Sequence, residues 1–150
     1  MPNNLAKPNA IQSINDNVAV VRSAINHLND RIRRFQDYLS ILPGRTEAAC
    51  YFPEFRDETG NKKCIGLKLH REGKAWILSW SLEDMDDPFS TAEWKPLLDA
   101  PIRHKLLCVS GFPELLGAIA TAHHILVNQI TSTVEAYDKF EATLPKTGGK

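Results

Sequence analysis

The chain has no run of 18 apolar residues and no basic start followed by an apolar core. A membrane span and a secretory leader are therefore not expected, and the chain reads as a soluble, cytoplasmic protein with no membrane partner. Net charge is absent too, since 18 basic side chains balance 18 acidic ones, so no overall field draws the molecule to nucleic acid. Cysteine is sparse. Cys50, Cys64 and Cys108 are odd in number, widely spaced and without a C-x-x-C pair, which reads as reduced thiols and gives no zinc site. Phosphate loops of the G-x-x-x-x-G-K-[ST] and G-x-G-x-x-G types are missing, as is the G-x-S-x-G elbow of serine hydrolases. No cofactor is expected, and no residue is assigned as catalytic or as a metal ligand.

What the chain does have is a long, regular helical seam. Ile11, Ile14, Val18, Val21, Ile25, Leu28, Ile32, Phe35, Leu39 and Leu42 alternate steps of three and four. A mean step of about 3.5 residues keeps one stripe of a helix facing a partner along its length. The flanks hold asparagines, alanines and Arg22 but no Glu–Lys pairing code, so the stripe reads as half of a helical pair inside a domain and not as a free zipper. Pro43-Gly44 ends this helix. Residues 1–10, with Pro2 and Pro8, read as a flexible arm.

The period then changes to two. Ile65, Leu67 and Leu69 share one face of a strand, and Trp76, Leu78, Trp80 and Leu82 share one face of the next. A turn over Arg71-Glu-Gly-Lys74 would set His70 opposite Ala75 and bring both apolar sets to one side. An earlier strand, about Ala49 to Phe55, turns either Cys50 and Phe52 or Tyr51 and Phe55 inward, and Pro53 places it on an edge. Gly66 is expected to give an aromatic ring from another element close access to the sheet. Ser90-Thr-Ala-Glu93 matches a capping box for a short helix. A second short helix follows Pro101, with Ile102, Leu106 and Val109 on one face, and ends at Ser110-Gly111.

From Pro113 a second long helix carries Leu116, Ile119, His123, Leu126, Ile130, Thr133, Tyr137, Phe140 and Leu144 at the same spacing. Leu115, Ala120, Val127 and Val134 widen its stripe beyond what one helix covers. Pro145 closes it, and residues 145–150 read as a flexible tail. The fold class expected is α+β: a long N-terminal helix, a three-stranded antiparallel sheet, one or two short helices, and a long C-terminal helix antiparallel to the first. Residues 11–144 form the single domain.

The surplus apolar width points to a homodimer, with Ile25, Leu28 and Ile32 on the first helix and Leu126, Ile130 and Val134 on the second as interface residues. The function expected is that of a non-enzymatic interaction or regulatory module, with an unidentified protein as a further partner. Two other readings compete. Arg31, Arg33 and Arg34, with Arg56, Lys62 and Lys63, offer a basic patch for nucleic acid, against which Asp30, Asp37, Asp57 and Glu58 are interspersed. His123 sits in the seam and marks a polar site for a small enzyme, yet its neighbour His124 points about 100° away and no i, i+4 ligand accompanies it. Glu83, Asp84, Asp86 and Asp87 form an acidic run without the glycine and terminal glutamate of an EF-hand, and read as a solvated loop.

Overall fold

The computed structural model describes residues 3–52, 55–56, 58–87, 89 and 91–146, and for residues 3–8 and Phe55 the backbone alone. Helix α1 spans Asn3–Ile41. It therefore runs through residues 3–10, for which the composition suggests an arm; residues 1–2 of that arm lie outside the described residues. Pro8 lies early in the helix, where its missing N–H removes one bond close to the unpaired first turn. The helix stops as expected: the Leu42 N–H bonds back to Leu39 at 3.3 Å, and Gly44 takes φ +73°, a left-handed conformation that side chains with a Cβ resist.

The strands are β1 (Ala48–Tyr51), β2 (Phe55–Arg56), β3 (Lys62–Glu72), β4 (Ala75–Asp84) and β5 (Lys95–Pro96). All pairs are antiparallel, in the order β1, β3, β4, β5, and β2 also pairs β3, so the sheet is four strands wide where three were expected. In the β3–β4 hairpin Glu72 faces Ala75, Leu69 faces Leu78 and Leu67 faces Trp80. This is two residues from the expected register, because Gly73 at φ +59° makes the turn with two central residues and not four. An even shift preserves the face, so the apolar sets still meet on one side. In β1 Cys50 pairs Leu67 and packs on the core beside Phe52, while Tyr51 turns to the opposite face.

The capping-box helix is not formed. Residues 91–94 are irregular, β5 follows, and only a 3₁₀ turn spans Leu97–Asp99; Ser90 lies outside the described residues. Pro96 would have fallen in the interior of that helix and broken its ladder, whereas an edge strand accepts it. Helix α2 (Ile102–Ser110) and helix α3 (Phe112–Glu141, with proline in its first turn) follow. Of the face expected on α2, Val109 packs partly buried against the core while Ile102 and Leu106 are exposed, and the buried residues are Lys105 and Cys108. Lys105 is accommodated because its Nζ donates to Asn29 Oδ1 at 2.8 Å.

One face of the sheet carries the core. Ile65, Leu67, Leu69, Leu78 and Trp80 pack with Ile32 and Leu39 of α1, Cys108 of α2, and Leu115 and Ile119 of α3. Helix α1 crosses β4, where Gln36 Oε1 accepts the Leu78 N–H at 2.9 Å and Arg45 lies over the Trp76 ring at 5.6 Å. Helix α3 crosses β1. On the other face Gly66 does admit an aromatic ring: a Cβ there would sit 2.7 Å from Trp94, and Lys68 stands over that ring at 4.4 Å.

Candidate association interface

The two long helices touch only locally. Phe35 of α1 stacks on Phe112 at the start of α3, with ring centroids 4.0 Å apart. Nine residues later in α1's path, Gly44 lies under the His123 ring, whose nearest atom would be 3.0 Å from a Cβ. Both contacts occur in the same order along both segments, so here the helices advance in the same sense and not as the expected antiparallel pair. The sheet dictates this, because α1 leads back into β1 and α3 also runs against β1, with Gly111 beside Phe52 at one end and His123 at the other.

The consequence is that each helix leaves the sheet at a different end with its seam unpaired. On α1 the seam divides. Ile32 and Leu39 are fully buried, Leu28 and Phe35 partly so, while Ile11, Ile14, Val18 and Val21 are exposed. On α3 Leu115 and Ile119 are buried, and beyond His123 the helix is exposed all round, with Ile130 54% and Tyr137 55% accessible. A stripe of large apolar side chains at 3.5-residue spacing is what a helix presents to a partner. Contiguous exposed apolar strips of this size are uncommon on monomeric chains.

The interface residues named from sequence fall into three groups. Leu126, Ile130 and Val134 lie together on the free part of α3. Ile25 and Leu28 are half-buried along a groove of about 390 Å³ between α1 and α2, which Val21, Ala24, Ile102 and Leu106 also line. Ile32 is withdrawn into the core and is not available for association, because α1 turns this residue onto the sheet. The free stripe is also free of charge, a feature that apolar spacing alone does not bring out: from Leu115 through Val134 there is no Asp, Glu, Lys or Arg. That absence is the signal in the sequence that sets this segment apart from an ordinary solvent-facing helix.

The remaining candidates do not converge. Arg31, Arg33 and Arg34 are exposed, and Arg33 pairs with Asp30 at 3.1 Å. Lys63 pairs with Asp84 at 3.2 Å, and Arg56 bonds the Gly60 carbonyl at 2.9 Å. The acidic run is engaged with the backbone: Asp86 accepts the Lys62 N–H at 3.2 Å, and Asp87 accepts that of Phe89 at 2.9 Å. Among the described residues no group of three His, Cys, Asp or Glu side chains is placed to hold a metal ion. His123 is exposed against Gly44, with no described carboxylate or thiol bonded to it. A second groove, of about 880 Å³, is lined by Arg56, Arg103, His104 and Leu82 among others. Burial holds the His104 imidazole below its usual value, and its ring lies 4.9 Å from that of Trp80.

Among the described residues no single helix is long and apolar enough to cross a membrane; α2 and α3 reach that composition only as a pair bent by 55°. Compared with known proteins, the chain matches no family, no curated protein and no solved structure.

Proposed function

We propose that the protein is an interaction module that works as a homodimer. The observation that supports this most directly is the exposed seam of α3 from Leu126 to Phe140, which keeps the spacing of a packed helix although none of the described residues covers it. Withdrawing a large apolar side chain fully from water is worth about 1.5–3 kcal/mol, and these residues are already about half withdrawn. Leu126, Val127, Ile130, Val134, Tyr137 and Phe140 on each of two copies supply this drive, and a dimer at micromolar concentration requires about 8 kcal/mol net of the entropy of association. The exposed half of the α1 seam offers a second surface of the same kind.

Light scattering at micromolar concentration tests the reading. The expected mass is twice the 16.8 kDa of one chain. Ile130→Glu places a charge on the free seam without touching the core and should return the monomer mass with an unchanged near-ultraviolet circular dichroism signal from the packed sheet. A monomeric parent protein across that range would overturn the proposal.

A further inference from the structure

We infer that two copies associate through α3 itself, with residues 123–140 of each lying antiparallel about a two-fold axis; this rests on the self-association reading above. Three observations select that arrangement. Leu126, Ile130, Thr133, Tyr137 and Phe140 form the free seam, and Val127 and Val134 beside it extend the apolar strip to one flank. In antiparallel layers Leu126 meets Tyr137 of the second copy, Ile130 meets Thr133, and Phe140 reaches the His123 edge. The axis then passes between Thr131 and Ser132, the midpoint of residues 123–140, so the helical strip covers itself and only Leu144, beyond the end of α3, stays outside it.

Charge fixes the direction. Glu135, Asp138 and Glu141 gather at the C-terminal end with Lys139 alone against them, and the residues before Glu135 on the free stretch carry no formal charge. A parallel pair would set the acidic ends side by side and add their like-signed helix ends. The antiparallel pair separates the acidic ends and brings each beside His123 and His124 of the other copy. Closure agrees with this choice. The exposed part of α1 leaves the domain at the opposite end, so pairing it with α3 of a second copy stacked end to end would leave a free seam at each terminus and build an open chain. An α3 pair closes at two.

Single cysteines read the geometry directly. The parent thiols are a control, since Cys64 and Cys108 are buried and Cys50 is half-buried. Under mild oxidation Thr133→Cys should cross-link to itself, its two copies being offset by only about 4–5 Å along the helices. Leu126→Cys alone and Tyr137→Cys alone, each offset from its own copy by about 16 Å, should not, while an equimolar mixture of the two should cross-link. Self-linking of Leu126→Cys would mean a parallel pair and would overturn the inference. A dimer that links through Val18→Cys and through no α3 position would overturn it too, while leaving self-association standing. A monomer by light scattering would remove both, and a monomer that sediments with phosphatidylcholine vesicles would give the α3 strip to a lipid surface instead.

Discussion

Cys108 is fully buried between α2 and the sheet. Burial pushes its thiol up to about 12 from an ordinary 9.0, and the neighbouring Cys50 thiol adds to the rise. Cys50 is also raised, by burial first and by Glu114 second. The folded state thus binds these protons more tightly than the unfolded chain, so their contribution to stability is complete below about pH 9 and is lost as pH climbs toward 12. The melting temperature should fall progressively between pH about 8 and about 11. Cys108→Ala should melt lower at the start, because it leaves a small cavity, but decline less steeply. Equal slopes for the two proteins would show that another group governs the alkaline limit. The same burial explains why these thiols were readable from sequence only as unpaired: nothing in their spacing indicates that one of them anchors the meeting of three elements.

Helix α1 is held to β4 by a polar tie as well as by Ile32 and Leu39. Gln36 receives the Leu78 N–H at 2.9 Å, a backbone donor lying just beyond the reach of the two-residue strand β5, which pairs Ser79 and Trp80. Gln36→Leu would fill the same space and leave that donor unpaired in a half-buried position, at a cost of about 1–3 kcal/mol in denaturant unfolding. Gln36→Glu keeps an acceptor there and should recover most of the loss. Unfolding of Gln36→Leu at the parent midpoint would mean that water replaces the bond. The periodicities that revealed α1, β3, β4 and α3 come from side chains alternating between core and solvent, and each of these elements exists. What they could not reveal is which element supplies the cover. Residues Ile102 and Leu106 share a helical face in the sequence, yet α2 buries Lys105 and Cys108, because Asn29 of α1 is placed to satisfy the lysine. The same limit applies to the proposed association surface. The stripe from Ile11 to Leu42 has one unbroken pattern, but its C-terminal half packs in its own domain and its N-terminal half does not.

The molecule therefore has two kinds of helix within each long helix. The inner parts, around Ile32 to Leu39 and Leu115 to Ile119, are fixed by the sheet. The outer parts extend about 30 Å from opposite ends with only their own hydrogen bonds for support. Most helical stability in proteins comes from a packed apolar face, and among the described residues these outer parts have none. Association and helix order should consequently be one equilibrium. Amides from Ile125 to Phe140 should exchange rapidly in dilute protein and become protected as concentration rises through the dissociation constant, while those from Ile65 to Leu69 stay protected throughout. Helical circular dichroism should fall on the same dilution, without loss of the near-ultraviolet signal of Trp80, whose packing on the sheet belongs to one chain. Salt should change this transition little, because the seam that forms it is uncharged through Val134 and only the acidic ends are open to screening. Exchange from Ile125 to Phe140 that is slow at every concentration would mean that α3 is ordered without a partner, and the link between assembly and helix formation would fail.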